Sequence, residues 1–579
     1  MTLPFRRRPR KRRTRSTNVS TRHGANRIRA AQREVRGVDS AMQRARIYRH
    51  PAGSIVRIET HISIVYLAGR FAYKIIKPVA PGFADFTAAD TRRHCCEAQV
   101  RLNRPLARGL YLGVLPIRRR GRSLMLESKG HTVEYAVKMR RFDESGLFSS
   151  LARRGALSPR DIDRATQRLA AWHVHAPRDA PLARYGGAAL LRAQVDAVNA
   201  SLQARCNAPA LRDIGAWCAQ QLAQLADAID RRRVDGFVRA CHGDLHLDNV
   251  MRWRGEVSMF DCIDFDDALR WIDMANDIAF LVMDLRARAG TRLSNRLLNG
   301  WLEATGDYAA LELMPLYVVY RALVRALVAF LYSKSASHTK AAAAARDAAR
   351  YLEIAAGETR KPPPVLLLCH GFSGSGKSVA SRALAELSGA ICLSSDVERK
   401  RLASTPAAHA RLDGAHYTRE ARHAVYGHLL RLASSVVQAG YSVIVDATFL
   451  EHAHRRDFFT LAERLRVEAR VLDFHAAPHI LAERVVTRQR DRRDASDADT
   501  STLSLQLNTA EPLTSDEMAR TLAFDTIVPV EAFDGPDFWK RVLDLMSSPV
   551  AEPAPDICRI RCKSENSRYA AEQDSRPTR

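Results

Sequence analysis

A run of apolar residues followed at once by a glycine-rich loop constrains this chain more than any other feature. Val365 to Leu368 is continuously apolar, which is typical of a strand buried on both faces. The loop after it, residues 371–378, reads Gly-Phe-Ser-Gly-Ser-Gly-Lys-Ser. A strand, this loop and a following helix predict a phosphate-binding P-loop. The alternative is a glycine-rich surface turn.

The residue types of this loop indicate how it would bind a nucleotide. Glycines let backbone N–H groups turn toward phosphates, and Lys377 supplies a cation for the β and γ oxygens. The hydroxyl of Ser378 suits a Mg²⁺ ligand at a helix N-terminus. We therefore predict ATP and Mg²⁺ as cofactors. The predicted nucleotide-binding residues are Gly371, Ser373, Gly374, Ser375, Gly376, Lys377 and Ser378.

Strand-like and helix-like segments alternate after the loop, which predicts a parallel sheet flanked by helices. Ligands of such sheets bind at the carboxyl ends of the strands. Asp396 and Asp446 follow the second and third predicted strands, so both are expected beside Ser378.

A second polar stretch lies far upstream. Residues 241–250 read Cys-His-Gly-Asp-Leu-His-Leu-Asp-Asn-Val, and Ile-Asp-Phe follows at 263–265. Phosphoryl transfer to a hydroxyl needs a carboxylate near that hydroxyl, plus amide and carboxylate oxygens that hold Mg²⁺. Asp244, Asn249 and Asp264 supply these groups at the spacing of a kinase catalytic loop and metal-binding strand. The alternative is that they only cap turns.

The segment before this stretch has the element order of a kinase N-lobe. Three strands are predicted at 54–59, 63–67 and 71–77, then a helix at about 87–106, then strands at 114–117 and 133–139. Lys74 lies on the third strand and Glu97 on the helix, which are the positions of a phosphate-binding lysine and its acidic partner. Farther along, His173 and His175 are interpreted as ordinary helix-end histidines.

With these motifs, residues 54–356 resemble the aminoglycoside phosphotransferase-like branch of the protein kinase-like fold. That resemblance implies that Asp244 is the catalytic base, that Asn249 and Asp264 bind Mg²⁺, and that Lys74 binds nucleotide phosphates with Glu97 as its partner. One departure is that no glycine-rich loop joins the first two strands, where the sequence reads Glu-Thr-His-Ile-Ser.

The C-terminal part resembles the small-substrate P-loop kinases, a group that includes gluconate kinase, chloramphenicol phosphotransferase and phage polynucleotide kinase. The resemblance implies that Asp396 is the base, that Arg399 holds acceptor or phosphate, and that Asp446 is the Walker B-like carboxylate near Mg²⁺. It also implies an arginine-rich lid over the phosphates, and the alternative is a solvated helix end. The lid arginines would be Arg484, Arg488, Arg490, Arg492 and Arg493.

The pairing of the two halves resembles a bacterial family of bifunctional aminoglycoside phosphotransferase-like and ATP-binding proteins, over residues 54–545. The implied fold is multidomain, α/β and α+β. A protein kinase-like, aminoglycoside phosphotransferase-like domain precedes a P-loop NTPase parallel-sheet kinase domain. We predict a basic tail at 1–50, the first domain at 51–357, a proline-rich linker at 358–364, the P-loop domain at 365–547 and a disordered tail at 548–579.

Basic residues are concentrated near the N-terminus. The formal net charge is +27, and much of the excess precedes residue 50. We predict residues 1–50 to be disordered, with a weak nucleic-acid contact through their arginines. A solvated tail, coding sequence upstream of a start near Met42 and, in a eukaryotic source, a transit peptide are alternatives.

The ten cysteines show no spacing typical of a disulfide framework or a zinc site, which favours a reducing compartment. No run of about 18 apolar residues suggests a membrane span. We expect a cytoplasmic protein without membrane contact.

Three functions are compatible with the sequence. The first is an ATP-dependent phosphotransferase with two nucleotide sites that acts on hydroxyls of a small molecule or of a nucleic-acid end. The second is an ATP-binding regulator with a pseudokinase front domain. The third is an RNA-associated protein recruited by its basic arm.

Overall fold

The computed structural model describes residues 35–60, 62–80, 85–121, 123–127, 129–206, 208–335, 338–403, 418–491 and 498–547. The basic arm up to residue 34 and the tail after 547 lie outside these ranges, as do Arg492 and Arg493. The chain divides into two compact units. Of the described residues, unit 1 comprises those up to 146 together with 258–270, and unit 2 comprises 147–257 together with those from 271 onward.

Unit 1 is built on a six-stranded antiparallel sheet with the order β1-β2-β3-β6-β4-β5. Gly69 makes the tight turn between β2 and β3, since its φ is +56° and a Cβ there would lie 2.3 Å from the Pro51 carbonyl oxygen. Helix α2 (Ala89–Asn103) packs against β4 and β6. The strands are β1 (Val56–Glu59), β2 (Ser63–Ala68), β3 (Phe71–Ile76), β4 (Tyr111–Arg120), β5 (Ser123–Leu126) and β6 (His131–Arg140).

The segment just before β1 corrects one expectation. Residues 35–42 form helix α1, and Val35, Val38 and Met42 are buried at helical spacing. Val38 and Met42 belong to the core of the sheet, and the Tyr48 hydroxyl donates to the Met42 carbonyl at 2.6 Å. The prediction of a disordered tail up to residue 50 is therefore wrong for residues 35–50.

The first part of unit 2 is mainly helical. Helices α8 (Met274–Arg288) and α10 (Met314–Ser335) contribute many of its buried side chains, and β7 (Val238–Ala240) pairs with β10 (Trp271–Asp273). Strands β8 (Val250–Trp253) and β9 (Glu256–Met259) flank the turn at Arg254–Gly255. The helices are α3 (Phe148–Arg153), α4 (Pro159–His175), α5 (Ala188–Gln203), α6 (Pro209–Gln224), α7 (Ala226–Val234), α8 (Met274–Arg288), α9 (Thr291–Thr305), α10 (Met314–Ser335) and α11 (His338–Glu358).

Helix α10 has the length and apolar composition of a membrane span over Met314–Ser333. In the protein, 61% of that window is buried. The helix packs against α8 and α11, as a core helix of a folded domain does.

The second part of unit 2 is a parallel five-stranded sheet with the order β12-β13-β11-β14-β15, as the alternating pattern predicts. The strands are β11 (Val365–His370), β12 (Ile391–Ser394), β13 (Val443–Asp446), β14 (Glu468–His475) and β15 (Thr521–Asp525). The helices are α12 (Lys377–Ser388), α13 (Ser395–Leu402), α14 (Arg419–Gln438), α15 (His452–Leu465), α16 (Pro478–Asp491), α17 (Thr500–Thr509), α18 (Ser515–Ala519) and α19 (Lys540–Met546).

Side-chain contacts hold the proline-containing segment that connects the two parts of unit 2. Glu358 pairs with Arg286 of α8 and, at 3.1 Å, with Lys361. The Lys361 ammonium lies 3.8 Å from the centroid of the Tyr441 ring. The predicted linker is thus a packed connection rather than a loose tether.

Helix α9 packs directly against the P-loop part of the unit. Asn299 accepts the backbone N–H of Cys392 at 2.8 Å and donates to the Ala390 carbonyl at 3.1 Å. Arg292 and Arg296 both bond Glu386, near the end of α12. These contacts join a helix of the proposed first domain to the helix that begins at the P-loop.

Candidate functional site

The glycine-rich loop after β11 requires glycine at two places where other backbone comes close. A Cβ on Gly371 would lie 2.3 Å from the Phe474 carbonyl oxygen, and one on Gly374 would lie 2.5 Å from that of Leu481. Both residues have positive φ, as has Gly376 at the start of α12. The loop therefore has the backbone that turns N–H groups toward a bound phosphate.

Lys377 is held inside this loop. Its ammonium donates to the carbonyls of Gly371 and Phe372 at 2.8 Å each and to the Ser375 hydroxyl at 3.3 Å. Burial lowers the pKa of Lys377, although the Asp446 carboxylate opposes that shift. A buried cation of this kind gains most from an anionic ligand.

Ser378 and Asp446 have the chemistry of a Mg²⁺ site. A hydrogen bond joins their side chains, and burial raises the pKa of Asp446 despite the nearby Lys377. A hydroxyl and a carboxylate beside a phosphate-binding loop are the oxygen donors that Mg²⁺ prefers. These two residues therefore fit the ion that the sequence predicts.

Asp396 lies two residues beyond β12, in the first turn of α13. Its carboxylate accepts a hydrogen bond from Arg399 at 2.6 Å. Both side chains line the same cavity as Lys377, Ser378 and Asp446. The structure thus brings together the predicted base, the lysine and the Mg²⁺ donors of the P-loop domain.

Two of the five predicted lid arginines have described side chains, and both line this cavity. Arg484 donates to the Thr526 carbonyl at 2.7 Å, and Arg488 donates to the Ala498 carbonyl at 3.0 Å. The side chain of Arg490 lies outside the described residues, as do Arg492 and Arg493. Sequence reasoning missed Gln506 of α17, whose side chain accepts the Ser373 N–H at 2.9 Å and so holds the loop.

Replacing Gly374 by Ala is expected to lower nucleotide affinity at the P-loop by about tenfold or more. The reason is that the new Cβ would force the loop away from the Leu481 carbonyl. Gly440→Ala is the matched control, because Gly440 also has φ near +80° but has open space around its Cβ position. Equal nucleotide affinity of the two variants, measured by titration calorimetry, would contradict the assigned loop geometry.

The second polar stretch forms a compact loop before β8. The Asn249 amide donates to the Asp244 carbonyl at 2.9 Å and to its carboxylate at 3.1 Å. His246 lies 3.3 Å from the same carboxylate. Burial would raise the pKa of Asp244, but the positive charges of His246 and Arg325 outweigh it and hold that pKa below its usual range. The negative charge of Asp244 likewise outweighs burial at His246 and raises the pKa of His246 to about 9. Asp244 is therefore an ionised hydrogen-bond acceptor at neutral pH.

Helix α8 supports this loop through two carboxylates that are spaced two helical turns apart. Asp277 accepts the backbone N–H groups of His242 at 3.0 Å and Gly243 at 2.8 Å. Asp284 accepts the N–H of Leu247 at 2.8 Å. Because both side chains are fully buried, they fix the backbone on either side of Asp244. Neither carboxylate was predicted from the sequence. The signal that could have found them is their separation of seven residues, which puts both on the same face of a helix.

His173 is more than the ordinary helix-end histidine that the sequence suggested, whereas His175 is exposed. His173 is fully buried between two partners. Its Nε2 lies 3.1 Å from the Asp277 carboxylate, and its Nδ1 accepts a hydrogen bond from the Trp301 indole at 3.1 Å. A buried polar chain therefore links α4, α8 and α9 behind the loop.

Replacing Asp277 by Ala should lower the free energy of unfolding by about 3 kcal/mol, because two buried backbone N–H groups and His173 lose their acceptor. Burial opposes ionisation of Asp277, but the hydrogen bond with His173 outweighs it and lowers the pKa. Chemical denaturation measures the loss, and Asp213→Ala on the exposed face of α6 is the control. An unchanged unfolding midpoint would contradict the support assigned to Asp277.

In unit 1, Lys74 contacts a different acid from the one expected. Its ammonium bonds Asp261 at 2.6 Å, whereas Glu97 is exposed and pairs with Arg93. The negative charges of Asp261 and Asp264 outweigh burial and raise the pKa of Lys74. Asp261 has a φ of +64°, a strained conformation for a non-glycine residue. Glu97 is therefore not the partner of Lys74 in this structure.

The surroundings of Asp264 fit the role of Mg²⁺ ligand that the sequence predicts for it. Its Oδ2 is buried and lacks a hydrogen-bond partner among the described residues. Burial raises the pKa of Asp264 to about 6, with Lys74 acting in the opposite direction. A buried carboxylate oxygen without a donor is stabilised by a metal ion. Lys74 and Asp264 belong to unit 1, and Asp244 and Asn249 belong to unit 2.

Comparisons with known proteins identify the families of the two parts of the chain. A family model described as phosphotransferase enzyme family matches residues 145–314, and one described as AAA domain matches residues 366–513. The uncharacterized protein Rv2004c of Mycobacterium tuberculosis (strain ATCC 25618 / H37Rv) is 31% identical over 453 residues, which is 76% of this chain and 87% of the relative. The uncharacterized protein Mb2027c of Mycobacterium bovis matches to the same extent.

Among solved structures, a gluconokinase from Sinorhizobium meliloti 1021 is 22% identical and covers 32% of this chain and 97% of its own, with a TM-score of 0.23. A choline/ethanolamine kinase family protein from Mesorhizobium loti is 12% identical and covers 55% of this chain and 99% of its own, with a TM-score of 0.34.

The fold and the matched families define a protein that joins a phosphotransferase domain of the protein kinase-like type to a P-loop kinase-like domain. The chain belongs to the same two-domain family as the mycobacterial protein Rv2004c.

Proposed function

We propose that the chain is an ATP- and Mg²⁺-dependent phosphotransferase with two nucleotide sites, each of which transfers the γ-phosphate to a hydroxyl. The observation that carries this proposal is the cavity of the P-loop domain. Lys377, Ser378, Asp446 and Asp396 all line it. A phosphate-binding cation, two Mg²⁺ donors and a candidate base in one cavity are the parts that phosphoryl transfer requires.

In the P-loop domain, the loop amides and Lys377 would hold the β- and γ-phosphates. Ser378 and Asp446 would hold Mg²⁺, which neutralises phosphate charge when bound. Asp396 would accept the proton of the attacking hydroxyl, with Arg399 fixing the direction of its carboxylate. Arg484 and Arg488, which line the same cavity, would stabilise the charge on the transferring phosphate.

In the first domain, Asp244 would be the base, Asn249 and Asp264 the Mg²⁺ ligands, and Lys74 the phosphate-binding cation. Support for these roles comes from each cluster separately. Asn249 orients the Asp244 carboxylate, and Asp264 has a buried oxygen to which none of the described residues donates. We propose that Lys74 exchanges its Asp261 partner for the nucleotide phosphates.

The acceptor is a hydroxyl of a small molecule or of a nucleic-acid end, and a cytoplasmic location is part of the same proposal. The suggested weak nucleic-acid contact of the arginine-rich arm concerns residues that lie outside the described part of the chain. No observation on the described residues favours the RNA-associated function.

A labelling screen tests the proposal. The full-length protein is incubated with γ-labelled ATP, Mg²⁺ and a panel of metabolites and 5′-hydroxyl oligonucleotides. Single variants Asp244→Asn and Asp396→Asn assign any product to one domain, which avoids cutting the chain across the contacts of α9. We expect labelled product that disappears in one of the variants.

The same screen distinguishes an enzyme from a regulator. A regulator would bind ATP without labelling any hydroxyl in the panel. Nucleotide binding without any labelled product would therefore contradict the proposed activity, and loss of product in neither variant would contradict the proposed bases.

A further inference from the structure

The cavity of the P-loop domain is larger than one nucleotide requires. Its volume is about 1270 Å³, whereas sites for a single drug-sized ligand span roughly 300–1,000 Å³. Two groups of elements form its wall. The P-loop, α16 and α17 form one group, since Arg484 contacts the loop carbonyl of Gly374 and Gln506 holds the Ser373 amide. Helix α14 packs on α13 and on α15, and these three helices form the other group.

The second group carries three arginines that line the cavity. Arg399 is on α13, and Arg419 and Arg422 are in the first turns of α14, after the Thr418 cap. For Arg419 and Arg422 this position is unfavourable, because the N-terminus of a helix carries partial positive charge. A locally unfavourable choice that points into a cavity is expected at a functional position.

Two of the three arginines at this end have carboxylate partners. Arg422 donates to Glu451 at 2.8 Å, and Arg399 donates to Asp396 at 2.6 Å. Glu511 also lines the cavity, where its carboxylate accepts the His452 N–H at the start of α15. Over the described lining of the whole cavity, seven Lys and Arg side chains face five Asp and Glu side chains. The surplus is positive, and guanidinium groups bind carboxylate and phosphate groups in two-pronged fashion.

The floor of this end is formed by two polar rings. The Tyr426 and His454 rings stack with centroids 3.8 Å apart, and the Tyr426 hydroxyl accepts the Phe449 N–H at 3.0 Å. Burial lowers the pKa of His454, although Glu451 opposes the shift. A neutral imidazole beside a carboxylate is suited to hydrogen-bond hydroxyl groups.

We infer that the acceptor of the P-loop domain is a small hydroxylated anion whose carboxylate or phosphate group is bound by Arg399, Arg419 and Arg422. Its reacting hydroxyl then lies at Asp396, and Glu451 and His454 bind its other hydroxyls. This inference rests on the proposed function, because it takes the P-loop end of the cavity as the nucleotide site. The transfer breaks the bond between the γ-phosphorus and the β,γ-bridging oxygen. It forms a bond from the acceptor oxygen to that phosphorus, and Asp396 takes the proton.

Binding of inorganic phosphate tests the anion site without knowledge of the acceptor. The full-length protein is first saturated with Mg²⁺ and a non-hydrolysable ATP analogue, so that the P-loop is filled, and is then titrated with phosphate by calorimetry. We expect millimolar binding that Arg419→Gln and Arg422→Gln each weaken by about tenfold, as loss of a charged hydrogen bond implies. Arg431→Gln, an exposed position on the same helix, is the control and should change nothing.

Absence of phosphate binding to the saturated protein, or equal binding by all three variants, would overturn the inference. Affinity for the ATP analogue is measured in the same samples, so a failure of the nucleotide site is recognised separately. The unfolding midpoints of the arginine variants show whether a loss of binding is a loss of folded protein.

The charge of the acceptor itself is tested with Asp244→Asn protein, in which only the P-loop domain remains to transfer phosphate. A bacterial small-molecule extract is separated by anion exchange, and each fraction is incubated with γ-labelled ATP. We expect label in compounds retained on the anion exchanger and none with the additional Asp396→Asn change. Sorbitol, gluconate and sorbitol 6-phosphate, which share a six-carbon polyol, then distinguish no charge, carboxylate and phosphate.

Label in the unretained neutral fraction would overturn the inference, and so would label found only on a 5′-hydroxyl oligonucleotide. Once the acceptor is isolated, Arg419→Gln and Arg422→Gln should raise its KM by about tenfold and leave the KM for ATP unchanged. Phosphate binding without label in any fraction would support the anion site and contradict the proposed transfer activity.

Discussion

Replacing Asp244 by Asn is expected to lower turnover of the first domain by about 100- to 10,000-fold, which is the usual contribution of a general base. The activity of this domain is defined as the labelled product that survives Lys377→Ala. The Asn variant keeps the shape of the loop and the Asn249 contact, but it cannot accept a proton at neutral pH. Labelling with γ-labelled ATP measures the rate, and nucleotide affinity should change by less than about threefold.

The matched control for this change is Asp235→Asn, an exposed position after α7 that lies outside the loop. Its turnover should equal that of the wild type. Full turnover of Asp244→Asn would show that another group takes the proton and would remove Asp244 from the mechanism.

Replacing Asp396 by Asn is expected to lower turnover of the P-loop domain by a similar factor of about 100 to 10,000, with no effect on products of the first domain. The change also weakens the hydrogen bond from Arg399. For that reason the measurement includes Arg399→Lys, which keeps a positive charge beside the base and should retain more activity than Asp396→Asn.

Asp457→Asn, on the exposed face of α15, controls for a change of surface charge in the same domain. If Asp396→Asn removed products of both domains together, the chain would have one catalytic site rather than two. That result would contradict the division of labour proposed for Asp244 and Asp396.

The parts of the molecule that could be predicted from the sequence are those with local signals. The P-loop is one such part, because a buried strand, a glycine pattern and a helix start follow one another directly. The parallel sheet is another, since strand and helix patterns alternate along the chain. Ligands of a parallel sheet bind at the carboxyl ends of its strands, and this rule predicts that Lys377, Asp396 and Asp446 lie around one cavity.

Residues that act through distant contacts could not be predicted in this way. Lys74 pairs with Asp261, which lies 187 positions away in the sequence, whereas Glu97 is near Lys74 in sequence but faces outward to Arg93. The supporting roles of Asp277 and His173 could not be predicted either, because in the sequence each is an ordinary polar residue of a helix. Only the packing of α4, α8 and α9 shows that they support the loop of Asp244.

Helix α1 shows a different limit of prediction from sequence, which is the use of composition to predict disorder. Its apolar residues Val35, Val38 and Met42 have helical spacing, but the surrounding arginines give the segment the composition of a disordered tail. Burial of a few apolar side chains against a preformed sheet is enough to order such a segment. Composition therefore placed the start of the folded part about fifteen residues too late.

The chain is expected to bind nucleotide at two places, and counting the bound nucleotides tests this most directly. Titration calorimetry of the full-length protein with Mg²⁺ and a non-hydrolysable ATP analogue should give two nucleotides per wild-type chain. Lys377→Ala should leave one, and Lys377→Ala combined with Asp264→Ala should leave none. No uptake by the wild type, or a stoichiometry that Lys377→Ala does not change, would contradict the account.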